Sequence, residues 1–393
     1  MAQAVCGRFA PTPSGRMHLG NVFCALLAWL SAKKQGGSIT LRIEDLDKPR
    51  CPKGSAELLE DDLHWLGLDW DTGGSNGGKD APYYQSRRFD IYDAYFTQLQ
   101  KQGRTYPCFC NRAELHAAQA PHLSDGRVLY PGTCRNLTPE QAAAKALSRN
   151  PAQRLRLPDA TVGFTDGHYG PYAQNLAAEC GDIILRRSDG VYAYQLAVVV
   201  DDALMGITEV VRGCDLLSST PQQLYLNQLL GFEPPSFIHV PLLTAADGRR
   251  LSKRDRDLDL GSLRQRFTGP QPLLGLLAFL SGLLPAPEPV SAQELLPLFS
   301  WDKVPRSNII ISDELLNPFQ LYRSNAMLYV VLATFAAGMA TEYFLGNRWI
   351  GFFAVGVPAC LYFFYLDHQK RAAAKKEEEE KRAKRRERKQ QHQ

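Results

Sequence analysis

The sequence predicts an α/β fold with a parallel sheet at its centre, on three observations. Strands alternate with helices from Met1 to about Thr105. A short apolar strand, Val5 to Phe9, runs into the proline- and glycine-bearing turn of "RFAPTPSGRMHLGN" and from there directly into a helix. Apolar segments of buried-sheet character, the expected strand "YAYQLAVVVDD" and then "ITEVVRGCDLL", resume after a long turn-rich stretch. With 393 residues, the chain can form two or three domains around a large core.

Each element follows from its local pattern. The helix "NVFCALLAWLSAKK" is closed by lysines and by the pair Gly36 and Gly37. A strand, a glycine-containing turn and a helix start together make an anion-binding corner, because unpaired N–H groups and the helix dipole point at its occupant. An ordinary βα connection would read the same from this stretch alone. In "SITLRIEDLD" Ile39, Leu41 and Ile43 alternate as in a strand, while "SAELLEDDLHWLG" and "SRRFDIYDAYFTQLQKQG" read as helices, the latter closed by Gly103. From Cys108 to about Cys180, clustered cysteines, turn residues and the Ala-rich helix "PEQAAAKAL" mark an insertion, across which the α/β unit closes. Leu224 to Ile311 read as a small helical, proline-rich subdomain.

The formal charge of +4 is misleading as a guide to partners. Residues 367–393 hold 11 Lys and Arg against 6 Asp and Glu, a net of +5, which leaves −1 for residues 1–366. Bulk charge therefore gives no case for nucleic-acid binding. Nine scattered cysteines, with no cleavable leader before Arg8, argue against a disulfide framework and for a reducing cytoplasm around the main body. Beyond Met327, "MLYVVLATFAAGMATEYFL" is followed after three residues by "WIGFFAVGVPACLYFFYL", 18 residues without a charge. Each is near the minimum length of a membrane span, so residues 327–366 are expected to form an apolar helical hairpin in a membrane, with the basic tail and the main body on its inner face. A helical pair packed in a soluble subdomain is the alternative.

Far downstream of the first corner lies "GRRLSKRD", with Lys253 in a polar loop after the strand-like "FIHVPLL". Together the two stretches resemble the paired signatures of class I aminoacyl-tRNA synthetases: His18-Leu19-Gly20-Asn21, and Arg250-Leu251-Ser252-Lys253-Arg254. The chemistry suits them, since attack of a carboxylate on the α-phosphate of ATP builds negative charge that positioned cations and N–H dipoles must stabilise. The resemblance implies a Rossmann-like catalytic domain that uses ATP and Mg2+. It also implies that His18 contacts the phosphates, that Gly20 leaves room for the nucleotide and that Lys253 steadies the departing pyrophosphate. Asn21 stands where a second histidine is usual, and Arg250 and Leu251 also depart from the commonest second signature. Asparagine keeps a hydrogen-bond donor and arginine keeps the charge.

"GRFAPTPSG", "RIEDLD" and "VVRGCD" narrow the resemblance to the glutamate-specific branch. A ligand with two carboxylates and one ammonium needs cations and a fixed anion. By similarity, Arg8, Tyr194 and Arg212 would hold the side-chain carboxylate, and Thr12 and Glu44 the ammonium, with Phe9, Ala10 and Pro11 lining the site. Cys108, Cys110 and Cys134 suggest a structural Zn2+ site in the insertion. From chemistry alone the fourth ligand would be His116 or His122; the resemblance points to Tyr130, four residues before Cys134.

The resemblance covers about Val5 to Ile311, and only about 55 residues separate Arg254 from Ile311. That leaves no space for the helical anticodon-binding region of a full-length enzyme of this branch. The chain is similar instead to the truncated paralogue that activates glutamate and attaches it to queuosine in the anticodon loop of tRNA(Asp), acting as a monomer. The expected divisions are 1–107 and 183–230 for the two halves of the catalytic domain, and 108–182 for the zinc-binding insertion. Residues 231–311 would form the helical subdomain and 312–393 the hairpin and charged tail. The alternatives are a truncated enzyme charging a tRNA 3′ end and an inactive membrane-tethered RNA-binding paralogue.

Overall fold

A computed structural model describes residues 4–111, 129–245, 258–267, 269–311 and 315. The chain divides into two units, Met1–Ser312 and Asp313–Gln393, and apart from Leu315 the described residues belong to the first. The expected hairpin at 327–366, the tail, Arg250 to Arg254 including Lys253, and both His116 and His122 lie outside the described residues. Among those described, no helix is long and apolar enough to cross a membrane.

The chain opens with β1 (Cys6–Phe9) and α1 (Leu19–Lys34), then β2 (Ser38–Leu41), α2 (Ser55–Leu66), β3 (Thr72–Gly73) and α3 (Phe89–Lys101). Every residue of α1 from Ala25 to Ala32 is buried, which is why its sequence is apolar on all faces rather than along one stripe. Next come β4 (Thr105–Cys108), α4 (Pro139–Ala146), β5 (Ala152–Leu155), the hairpin β6 (Thr161–Asp166) and β7 (Gly170–Asn175), and β8 (Ile184–Arg186), so the sheet strands at either end reach beyond the expected insertion at 108–182. Strands β4, β5 and β8 form an antiparallel sheet of their own. After it come α5 (Tyr194–Leu204), β9 (Glu209–Gly213), α6 (Thr220–Leu230) and β10 (Ser236–Val240).

The segment "YAYQLAVVVDD", expected as a strand, is the helix α5. A short run of consecutive apolar residues carries no period that separates a buried strand from a buried helix, so packing decides. Here Leu196 to Val200 are enclosed by Tyr92, Phe96 and Leu99 of α3 and Leu226 of α6, and the following Asp201 and Asp202 turn inward, 0% and 5% exposed.

Parallel pairing gives the order β1-β2-β3 on one side and β9-β10 on the other. The two ladders meet where the Thr208 N–H donates to the Cys6 carbonyl at 2.9 Å, next to β1 and β9. The succession β3-β2-β1-β9-β10 therefore changes direction between β1 and β9, the place where open α/β sheets leave a crevice beyond the carboxyl ends of their strands. Because β10 pairs with β9, the sheet continues past residue 230 into the segment expected to be helical. The rest of that segment holds α7 (Leu260–Arg266), α8 (Pro270–Leu280) and the small parallel pair β11 (Leu243–Thr244) and β12 (Ile309–Ile310).

Candidate active site

The crevice is furnished by the ends of β1, β2 and β9. Beyond the paired strands, the Arg42 N–H donates to the Phe9 carbonyl at 2.8 Å and the Glu44 N–H to the Pro11 carbonyl at 3.0 Å. Those two bonds run Phe9-Ala10-Pro11 alongside Arg42 to Glu44, so Arg8 and Glu44 arrive at one place from different strands. Phe9 is buried, Ala10 and Pro11 are half-buried and Thr12 is exposed at the mouth.

Below this mouth lies a dense network of buried charge. Arg42, 0% exposed, lies 2.6 Å from Asp202 Oδ1 and 3.1 Å from Glu44 Oε1, and its Nε is 3.8 Å from Asp201. Asp201 also accepts from Arg88 Nε at 2.7 Å, Gln85 at 2.8 Å and the Tyr92 hydroxyl at 2.8 Å. Arg8 Nε stands 3.3 Å from Asp202. Burial works against the charge on Arg42, yet Asp202, Glu44 and Asp201 outweigh it and raise its pKa. Glu44 goes the other way: burial raises its carboxyl above the usual range despite Arg42 and Arg8. A bound ammonium would relieve that burial cost. Sequence reasoning missed Arg42, Arg88, Asp201 and Asp202; the signal was available in two acids directly after an apolar run, which must find cations once the run is buried.

Arg212 is arranged differently. It lies on β9, 4% exposed, and its partners are neutral: Nε–H donates to His239 Nε2 at 3.0 Å, Nη1 to Gln223 Oε1 at 2.8 Å and Nη2 to the Thr220 hydroxyl at 2.8 Å. The Leu216 carbonyl lies 3.5 Å from Nη2, and the Tyr194 hydroxyl is near enough to act on the charge. Among the described residues no carboxylate forms an ion pair with it, and burial lowers its pKa. Tyr194, at the start of α5, feels the charges of Arg212, Glu44 and Arg8 together, so the four expected glutamate-binding side chains Arg8, Glu44, Tyr194 and Arg212 converge. A buried guanidinium hydrogen-bonded only to neutral groups, with Asp202 acting on it from beyond ion-pair distance, has its donors set for the carboxylate that a ligand would bring.

The corner expected to take the phosphates is the N-terminus of α1. His18 precedes the first turn with extended backbone, and its carbonyl accepts from Asn21 and Val22 N–H. The first turn carries no acidic side chain, leaving the positive end of the helix for an anion. Asn21 is exposed there. A Cβ at Gly20 would meet no atom of the chain within 4 Å, so internal packing does not explain a residue that costs a helix about 0.5–1 kcal/mol relative to alanine. The open space suits a nucleotide. Lys253 is not described, but two residues a few places after it are tied to this corner: the Leu260 N–H donates to the Met17 carbonyl at 2.9 Å, and Asp259 bridges to His18.

In the insertion, the sulfurs of Cys108, Cys110 and Cys134 lie within 4.8 Å of one another, with Cys110 and Cys134 3.6 Å apart. A tetrahedral site with Zn–S bonds of about 2.3 Å needs sulfurs about 3.8 Å apart, so the donor set fits zinc in chemistry and spacing. The Tyr130 hydroxyl accepts from Cys108 Sγ at 3.4 Å, which places it at the edge of the cluster. Burial and the neighbouring thiols push the Cys110 thiol up to about 12, whereas burial of Cys108 is outweighed by Arg154 and by a Tyr130 hydroxyl that can turn to donate to its thiolate, which bring that thiol down. All eight described cysteines are free thiols.

With this geometry in place, comparison with known proteins identifies the family. The sequence matches the tRNA synthetases class I (E and Q), catalytic domain, over residues 4–308. It is 50% identical over 313 residues to the glutamyl-Q tRNA(Asp) synthetase of Symbiobacterium thermophilum, covering 79% of this chain and 97% of that protein. Identity to the protein of the same name from Nitratidesulfovibrio vulgaris is 47%, over 79% of this chain and 97% of that one. A crystal structure of a glutamate tRNA ligase from Elizabethkingia meningosepticum in complex with its amino acid superposes with a TM-score of 0.70 at 30% identity, over 87% of this chain and 73% of that one. The chain belongs to the class I tRNA synthetases for glutamate and glutamine, among relatives that are glutamyl-Q tRNA(Asp) synthetases.

Proposed function

We infer that this protein activates glutamate with ATP and transfers it to the queuosine base in the anticodon loop of tRNA(Asp). The observation that carries the amino-acid assignment is the buried Arg212 held only by neutral partners, opposite a Glu44 whose burial favours a neighbouring cation. A ligand with a side-chain carboxylate and an ammonium satisfies both. In the first step a glutamate α-carboxylate oxygen attacks the α-phosphorus of ATP and pyrophosphate leaves. In the second, a hydroxyl of the queuosine ring attacks the activated carbonyl, its proton is lost and AMP departs. His18, Gly20 and Asn21 would receive the nucleotide at the start of α1, with Lys253 and Mg2+ countering the charge on the departing pyrophosphate. Thr12 and Glu44 would take the ammonium, and Arg8, Tyr194 and Arg212 the side chain. In support of the tRNA assignment, the chain covers 97% of each of two relatives so named.

Structural Zn2+ at Cys108, Cys110, Cys134 and Tyr130 belongs to the same proposal, supported by the spacing of the three sulfurs. Zinc there would fix the turn-rich insertion in place of a larger core. Residues 327–366 would anchor the body to the inner face of a membrane, supported by 18 consecutive uncharged residues in the second segment. Partition of the full chain into the salt-washed membrane pellet, with release by detergent, is expected; a full chain that stays in solution removes the anchor and leaves the chemistry untouched.

The decisive assay offers labelled glutamate and ATP with separated tRNAs. Label should pass to tRNA(Asp) carrying queuosine and to neither tRNA(Asp) without queuosine nor tRNA(Glu). Label at the 3′ end of tRNA(Glu) would establish a truncated charging enzyme instead, and absence of glutamate-dependent ATP–pyrophosphate exchange would leave an inactive RNA-binding paralogue.

A further inference from the structure

Arg212 and His239 face each other by register: β9 and β10 pair in parallel with Arg212 opposite His239, so both side chains leave the same face of the sheet. His239 is 0% exposed. Its Nε2 takes the Arg212 Nε–H at 3.0 Å, and its Nδ1 lies 2.6 Å from Asp166 Oδ2. A guanidinium nitrogen can only donate and a carboxylate can only accept, so the ring must be neutral, with its proton on Nδ1 and its lone pair on Nε2. Asp166 is 2% exposed and closes the hairpin β6–β7, where it also accepts the backbone N–H groups of His168 and Tyr169 at 2.9 and 2.8 Å. That hairpin belongs to the insertion and is docked closely on β10. The Gly167 N–H donates to the Phe237 carbonyl at 2.9 Å, and a Cβ at Gly167 would lie only 2.8 Å from Ile238.

We propose that Asp166 and His239 are positioning residues that fix the Arg212 guanidinium for the side-chain carboxylate of glutamate, so that the inserted hairpin is a working part of the amino-acid site. This rests on the function inferred above and extends it. The physical logic concerns where a counter-charge can stand. A carboxylate placed directly on Arg212 would occupy the donors that the substrate needs. With a neutral imidazole between them, Asp166 aligns the guanidinium through two hydrogen bonds while the cation stays without a carboxylate of its own. Phe237, whose ring centroid lies 5.0 Å from the Arg212 guanidinium carbon and which stacks on His239 at an interplanar angle of 14°, keeps the pair in register.

The test is ATP–pyrophosphate exchange by the full chain, with KM measured separately for glutamate and ATP. His239→Ala should raise KM for glutamate by roughly ten- to a hundredfold, the scale of one hydrogen bond to a charged group, with KM for ATP unchanged. His239→Gln, whose side-chain oxygen can accept from Arg212, should recover most of the loss. Asp166→Asn, which never touches Arg212, should resemble His239→Ala because an amide no longer imposes the tautomer. Ring 15N shifts of His239 in the wild-type protein, which need no variant to fold, should show a protonated Nδ1 and a bare Nε2. The opposite tautomer, or parallel losses for both substrates without rescue by glutamine, would overturn the proposal even in an active enzyme. A wild-type protein without glutamate-dependent exchange would instead overturn the inferred function and this extension with it.

Discussion

Two arginine clusters sit at the same crevice and differ in what holds them. Around Asp201 and Asp202, Arg8, Arg42 and Arg88 meet buried carboxylates directly, at 3.3, 2.6 and 2.7 Å for their nearest pairs. About Arg212 there are an imidazole, an amide, a hydroxyl and a backbone carbonyl. The difference separates architecture from binding. A cation whose charge is answered within the fold ties elements together, as Arg42 and Arg88 do beside β2, α3 and α5, while Arg8, 3.3 Å from Asp202, stays at the crevice for the ligand. One that is hydrogen-bonded but not neutralised keeps its charge for something that arrives later.

The comparison makes opposite predictions for mutations on its two sides. Asp201→Ala removes an anion from beneath Arg88 and Arg42 and leaves Gln85 and Tyr92 without their acceptor, so it should destabilise the fold by about 3–5 kcal/mol, measured by denaturant unfolding. Arg212→Ala should cost much less in unfolding but lower kcat/KM for glutamate on the order of a hundredfold or more, the scale of removing one member of a desolvated charge pair. If the two variants lose stability alike, the division between the clusters fails.

Glu44 stands between the clusters and adds a smaller, pH-dependent effect. Its folded pKa is raised by burial, so protonation sets in at a higher pH than for an ordinary glutamate and removes the charge that would hold an ammonium. KM for glutamate should therefore rise on acidification, beginning above the usual carboxyl range, and the part due to this residue should vanish in Glu44→Gln. Stability has the opposite sign: a raised carboxyl pKa favours the folded state at low pH, and that advantage is lost as pH rises through it. A KM for glutamate that is flat across this window would remove Glu44 from the ammonium site. The smallest effect on the crevice is expected from the insertion's metal cluster. Purified protein should carry about one zinc per chain, and Cys134→Ser should release it with little change in KM for ATP; protein without zinc would refute the cluster.

How much of this was legible in the sequence depended on whether a residue's role is local. The first signature could be read because a strand, a turn and a helix start are contiguous, and the structure places Cys6–Phe9 and Leu19–Lys34 around it. Cys108, Cys110 and Cys134 could be read because thiols are rare and these are close in sequence. The groups that hold Arg212 could not: Gln223 and His239, with Asp166 behind the histidine, come from a helix, a strand and a hairpin, and nothing in "FTDGHYG" or "FIHVPLL" announces that they meet. Helix α5 was misread for a related reason, since only its packing against α3 and α6 decides between strand and helix.

Amino-acid selection in ATP–pyrophosphate exchange without any tRNA tests the role of Arg212 most directly. All the proposed glutamate contacts belong to this chain, so exchange should proceed with glutamate alone, and glutamine and aspartate should be poor substitutes. The first lacks the charge that Arg212 requires, and the second is one methylene too short to reach it while its ammonium stays at Glu44. Arg212→Ala should erase the preference for glutamate over glutamine. Equal exchange with glutamate and glutamine in the wild-type enzyme, or a preference that survives the loss of Arg212, would contradict the claim that the neutral-partnered arginine marks the glutamate site.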